Sequence, residues 1–201
     1  MTIDKKKFWE DKIIGWEDIR YKRKAKKFNI FEKFVNKTNN TLINRLNTAF
    51  EILEPFLKDK NIVELGCGSG FLAEQIIKSG AKSYIGYDIS ENAISRANEL
   101  AKKKNLSHKI FFSAKDVKEI ETLEADYVFS LGLTDWLNDE ELDHMFYICR
   151  KAENLHSISE DKNSTSQLLH KLYVFLSYGR KTEKYVPRYY KIEKISQLIK
   201  K

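Results

Sequence analysis

The residues best suited to chemistry lie in one stretch, Asn61-Ile62-Val63-Glu64-Leu65-Gly66-Cys67-Gly68-Ser69-Gly70, and in one later acid, Asp88. A short apolar run ends in a carboxylate, and glycines follow at alternate positions. Glycine admits positive φ and lets the backbone come close to a ligand. A side chain at Gly66 or Gly68 would fill space that a nucleoside needs. Ser83 to Asp88 is a second apolar run that ends in an acid. Asp88 falls where the acid after the second strand of a nucleotide-binding fold accepts hydrogen bonds from a ribose diol. The order acid-x-Gly-x-Gly-x-Gly is not the dinucleotide pattern Gly-x-Gly-x-x-Gly, because its third glycine comes too early. Glycines also simply make turns, so the turn carries weight only together with Asp88.

The elements that must position these groups alternate along the chain. Strand 61–65 is expected to lead into helix 70–79, with Gly80 just past its end. Strand 83–88 leads to Ser90, an N-cap for helix 91–104. Strands follow at 109–113 and 125–131. Helix 138–151 starts at Asn138, with Asp139, Glu140 and Glu141 complementing its dipole. A weaker strand spans 154–158, and an amphipathic helix spans 192–199. Residues 4–57 read as helical, with aromatic clusters at Phe8-Trp9 and Trp16. Strands alternating with helices imply a parallel sheet, with ligands at the carboxyl ends of the strands.

A chain of 201 residues with 42% hydrophobic content suits one domain with a sizeable core. No apolar run approaches the ~18 residues of a membrane span, and the N-terminus lacks the apolar core of a secretory signal. The two cysteines, Cys67 and Cys149, have no metal-ligand spacing. They fit a reducing, cytoplasmic setting without a zinc site or disulfide framework. The formal charge is +7, and Lys22, Arg23, Lys24, Lys26 and Lys27 crowd one stretch. Such a run reads as a solvated helix face or as a surface for an anionic partner.

The Glu64-to-Gly70 turn with Asp88 after the second strand resembles the class I S-adenosylmethionine-dependent methyltransferases, from about Ile62 to Leu137. The Trp-Glu…Arg-Tyr start, the Leu131–Leu137 segment and the Tyr185-Val186-Pro187-Arg188-Tyr189-Tyr190 tail resemble bacterial methyltransferases of surface-polysaccharide loci. The resemblance implies a Rossmann-like, mostly parallel sheet flanked by helices. It divides the chain into an N-terminal helical lid (1–57) and a cofactor-binding domain (58–201). The family's sheet ends in an antiparallel hairpin. Either 172–176 or 184–190 supplies a strand here, or the hairpin is missing and one sheet edge needs a cover: a homodimer, a partner chain or the chain itself.

The resemblance also assigns residues. Glu64, Gly66, Cys67 and Gly68 surround the methionine and ribose, Asp88 takes the ribose hydroxyls, and Ile89 packs on the adenine. Asp116 accepts from the adenine amine beside Val117, or else caps a helix. Ser130, Leu131 and Gly132 line the methyl-transfer face, and Tyr21 closes over the methionine end. Methyl transfer needs chiefly proximity and alignment, and an oxygen acceptor also needs a base. Asp135 and His156 are the candidates for that base, against turn chemistry for the first and a core histidine for the second. Tyr178, Arg180, Tyr185, Arg188, Tyr189 and Tyr190 form an aromatic and basic cluster suited to a phosphorylated or sugar acceptor, or a surface turn. There is no Asn/Asp-Pro-Pro-aromatic sequence after the fourth strand, no Pro-Cys nucleophile and no metal set. The expectation is therefore O-methylation of a small-molecule or carbohydrate acceptor: a surface polysaccharide, a nucleotide-sugar precursor or a phosphoramidate group. An RNA or DNA methyltransferase and a non-catalytic, cofactor-binding partner subunit are the alternatives.

Overall fold

The computed structural model describes residues 4–21, 44–161, 167–168, 171–172 and 185–199, without the side chains of residues 16, 19–21 and 199. Strand β1 (Asn61–Leu65) lies at the centre of a five-stranded, all-parallel sheet. It pairs with β2 (Ser83–Asp88) on one side and β4 (Tyr127–Leu131) on the other. Strand β3 (Ile110–Ala114) extends the β2 side and β5 (Glu153–Ser157) the β4 side, giving the order β3-β2-β1-β4-β5. The chain thus builds outward from β1 in one direction and then returns to build in the other. The crevice where the order reverses, beside the end of β1, is where open α/β sheets bind ligands.

The central strands are apolar on both faces because helices cover both. Side chains alternate between the two layers. Ile62 and Phe129 enter one core with residues 44–53 (helix α2), α3 (Ala73–Lys78) and α4 (Glu91–Lys103). Val63, Leu65 and Val128 enter the other, with α5 (Asp139–Cys149) and α6 (Ile192–Ile199). The caps follow the sequence. The Ser90 hydroxyl accepts from the Ala93 N–H at 3.2 Å, and Asn138 and Glu141 form a reciprocal capping box at α5. Helix α3 is shorter than the 70–79 expected. Gly70 has φ +69°, a left-handed geometry that belongs to the turn, so the helix starts only at Ala73.

Of the two alternatives for the chain's end, a terminal strand is not found among the described residues. Tyr190 makes one isolated parallel bridge with Glu160, and residues 173–184 lie outside the described residues. Residues 185–190 instead run as a strap past β5. The Arg188 N–H donates to the Asp135 carbonyl (2.7 Å) and the Tyr190 N–H to the Ser159 carbonyl (2.8 Å).

Helix α1 (Lys5–Tyr21) lies over the carboxyl end of the sheet. It is moored mainly by polar groups. Lys5 pairs with Glu141 and Lys6 with Glu91, each at 2.5 Å. Glu10 accepts from the Asn92 N–H at 2.9 Å, and Asp18 pairs with Arg96 at 2.6 Å. Among the described side chains of α1, Phe8, Ile13 and Glu17 are buried. No helix among the described residues is long and apolar enough to cross a membrane.

Candidate functional site

The glycine turn is stitched to β2. Gly66 and Cys67 both donate to the Tyr87 carbonyl (2.7 and 3.0 Å), and the Gly68 N–H donates to Asp88 Oδ2 at 2.8 Å. The other Asp88 oxygen accepts from the Ser90 N–H at 3.0 Å. Gly66 and Gly68 sit at φ +72° and +53°. A Cβ on Gly66 would stand 3.0 Å from the Leu133 Cβ, and one on Gly68 would stand 2.3 Å from a Glu17 carboxylate oxygen. The turn is thus a cradle with no room for side chains, closed from above by α1 and from the side by the segment after β4.

Carboxylates gather around this cradle. Glu64, at the end of β1, is buried and accepts from the Tyr84 hydroxyl on β2. Burial pushes its carboxyl up to about 8. Burial also raises Asp88, against the opposing pull of the Ser90 and Gly68 N–H groups. Glu17 comes from α1, one turn after Ile13 and two after Trp9 on the same helical face. It is only 3% exposed, accepts from the Ser69 N–H (2.8 Å) and hydroxyl, and has Arg96 at 3.8 Å. Burial raises its carboxyl too. Cys67 contributes backbone only. Its sulfur lies 2.7 Å from where a Gly86 Cβ would be, buried beneath β2, and its thiol is pushed well up.

Beside the cradle a cavity opens along the ends of β2, β3 and β4. Gly66, Asp88, Ile89, Asp116, Val117 and Leu131 border it, so these expected cofactor residues share one space. Asp116 is at the same time a cap, accepting from the Lys118 N–H at 3.2 Å. The far wall is aromatic. Trp9 and Trp136 pack edge-on with centroids 4.8 Å apart, and the Trp9 indole N–H donates to the Tyr185 hydroxyl at 3.1 Å.

Other expected positions fall elsewhere. Asp135 does not border the cavity, and both of its oxygens hold Ser159, from the N–H at 2.8 Å and the hydroxyl at 2.7 Å. It pins the segment after β5, so its geometry is that of a turn and not of a base. His156 lies opposite Ser130 in register, shares a 2.9 Å hydrogen bond with that hydroxyl, and packs edge-on against Phe146 of α5. Burial lowers its imidazole to about 4. It belongs to the layer behind β4, and the expected base is corrected on both counts. Arg188 forms an exposed pair with Asp139 (3.1 Å), and Tyr189 lies beneath the Lys171 ammonium. Neither borders the cavity, whereas Tyr185 of the same expected cluster does. Tyr178, Arg180 and the Tyr21 side chain lie outside the described residues.

Sequence reading gave no role of their own to Glu17, Arg45 and Trp136. For Glu17 a signal existed: the 9-13-17 spacing puts a carboxylate on the apolar face of a helix. For Arg45 there was none.

S-adenosylmethionine brings a flat base, a ribose diol and two positive charges. A glycine turn, an acid clasped to it, and the apolar pair Ile89 and Val117 fit the base and the diol, while Glu17 and Glu64 are buried beside the cavity without bordering it. Gly66 and Asp88 would hold the ribose and Ile89, Asp116 and Val117 the base, whereas the expected Glu64, Cys67 and Gly68 do not border the cavity, Gly68 being covered by Glu17.

Residues 62–152 match the family model described as a methyltransferase domain. The ribosomal protein L11 methyltransferase of Haemophilus influenzae (strain PittEE) is 39% identical over 72 residues, which is 36% of this chain and 24% of that protein. The one from Lachnospira eligens is 31% identical over 84 residues, 41% of this chain and 24% of that protein. The chain thus spans about a quarter of the length of these curated relatives. Among solved structures, magnesium protoporphyrin IX methyltransferase from Synechocystis PCC 6803 with bound SAH superposes with a TM-score of 0.68 at 17% identity, covering 96% of this chain and 84% of that one. A methyltransferase complexed with the Haloferax volcanii Trm112 activator gives 0.64 at 13% identity, covering 100% and 76%. The fold is the Rossmann-like class I methyltransferase fold, and the cofactor that goes with it is S-adenosylmethionine.

Proposed function

We propose that this chain is an S-adenosylmethionine-dependent methyltransferase that methylates an oxygen of a small-molecule or carbohydrate acceptor. The observation that carries the reading is the clasp between Asp88 and the Gly68 N–H beside a side-chain-free cradle at the switch point of the sheet. The bound sulfonium supplies a methyl carbon already activated for in-line displacement. The chain's own part is placement. Asp88 orients the ribose, Gly66 lets the cofactor approach the backbone, and α1 excludes water. The carboxylates bordering the cavity are committed: Asp88 to backbone N–H groups, Asp116 to its cap and Glu141 to Lys5. Rate enhancement then comes from proximity and alignment. The aromatic wall of Trp9, Trp136 and Tyr185 suits a ring-shaped acceptor.

Calorimetric titration of S-adenosylmethionine and S-adenosylhomocysteine into the wild type and Asp88→Ala tests the reading. Micromolar binding, weakened at least tenfold in the variant, is expected. No binding by a well-folded wild type overturns it. A protein acceptor is the second reading, carried by the likeness to ribosomal protein L11 methyltransferases. Methyl transfer to ribosomal protein, with none to sugars or small acids, would favour it.

A further inference from the structure

One cation stands beside the β4 end of the crevice without an ion pair among the described residues. Arg45, in the first described turn of α2, presses its guanidinium against Gly132. Both terminal nitrogens stand 3.0 Å from where a Gly132 Cβ would be. Gly132 borders the cavity, has φ +84° and is held by donating its N–H to the Ser157 hydroxyl at 2.7 Å. No side chain fits there, so the glycine keeps the guanidinium in place. The Arg45 Nε is buried, with no hydrogen-bond partner among the described residues. Burial raises the carboxyl of the neighbouring acid, Asp135, while Ser159 and the guanidinium's charge pull it down; its two oxygens accept from Ser159, and it forms no ion pair with Arg45. A buried Nε donor left unpaired is costly unless something fills it.

We infer that Arg45 reads an anionic group on the methyl acceptor, a carboxylate or a phosphate. This rests on the proposed methyltransferase reading and deepens it. Asp88 and Asp116 mark the β2–β3 half of the crevice for the cofactor, which leaves for the acceptor the β4 half, bordered by the Gly132 against which Arg45 packs. The planar fork of arginine matches two oxygens of a carboxylate or phosphate at once. An ionised acceptor oxygen also needs no base, which agrees with a cavity whose bordering carboxylates are already committed.

The test is thermal unfolding of the chain, with and without S-adenosylhomocysteine, in benzoate, acetate, inorganic phosphate or chloride at equal ionic strength. The wild type should show a saturable rise over chloride of roughly 5 °C at a hundredfold excess over Kd. Whether carboxylates or phosphate produce it names the group. Arg45→Gln should abolish the rise, Arg45→Lys should keep part of it, and both should bind S-adenosylhomocysteine within twofold of wild type. An equal rise in Arg45→Gln, or no anion-specific rise in the wild type, overturns the inference. Failure of the wild type to bind S-adenosylhomocysteine instead overturns the cofactor reading, and the anion response is read independently of it.

Discussion

Replacing Glu64 by Gln should change how stability depends on pH, because the folded chain keeps this carboxyl protonated. Burial takes it from an ordinary 4.5 to about 8. At 1.36 kcal/mol per pH unit, that gap means ionising Glu64 in the folded chain costs about 5 kcal/mol. Between pH 4.5 and 8 the unfolded chain has lost this proton and the folded chain still holds it. The unfolded state therefore binds fewer protons, and stability falls as pH rises through the window. His156 acts the other way. Its imidazole is lowered from 6.5 to about 4, so below pH 6.5 the unfolded chain takes up a proton that the folded chain refuses. Stability is then lost as pH falls. From pH 4.5 to 6.5 the two slopes oppose each other, and from 6.5 to 8 only the Glu64 slope remains. In Glu64→Gln the amide oxygen can still accept from the Tyr84 hydroxyl, so the variant removes the titration and keeps the bond. Urea denaturation of both proteins at half-unit steps from pH 4.5 to 8.5 measures the difference. The stability of wild type minus variant should fall by about 1.4 kcal/mol per pH unit across the window and flatten above it. A difference independent of pH would refute the argument that burial governs this acid.

In His156→Gln the loss of stability between pH 6.5 and 4 should shrink by about 3 kcal/mol, read from the same curves; an unchanged acid limb would mean that the imidazole is charged in the folded chain. Glu17→Ala removes the acid that ties α1 to Ser69, and amide exchange across residues 5–15 should quicken about tenfold while β1 stays protected. Equal protection of α1 would show that its ion pairs suffice. Gly86→Ala puts a methyl 2.7 Å from the Cys67 sulfur and from a Phe112 ring carbon. It should lower stability by about 1–3 kcal/mol in a urea titration, and a neutral result would mean that Phe112 can swing aside.

The order of elements from residue 61 to 157 was legible because each is locally consistent. Apolar runs of strand length, Ser90 and Asn138 at the caps of α4 and α5, and glycines at the turns agree with one another. Asp88 could be read for the same reason: its position follows from strand length and from the turn that precedes it. Asp135 and His156 lie away from the cavity, which was not legible because sequence tells neither which layer a strand residue such as His156 faces nor how the turn carrying Asp135 folds. His156 points into the α5 layer, and Asp135 turns onto Ser159. Arg45 and Tyr185 are distant in sequence from the cavity elements and meet them only through tertiary packing, which no local pattern encodes. Whether the family's terminal hairpin is present was left open by the sequence, and among the described residues 185–190 run as a strap with one isolated bridge to Glu160.

The mooring of α1 has a consequence for how the protein is made. The anchors of this helix described above are all encoded later: Ser69, Glu91, Asn92, Arg96, Glu141 and Tyr185. At about 5–20 residues per second, roughly 7 to 30 seconds separate the synthesis of Lys5 from that of Glu141. A lone helix of 17 residues with Gly15 in its interior is marginal in water over that time. On the ribosome the sheet is therefore assembled around an uncovered crevice, and α1, made before all of its anchors, is among the last pieces to seat.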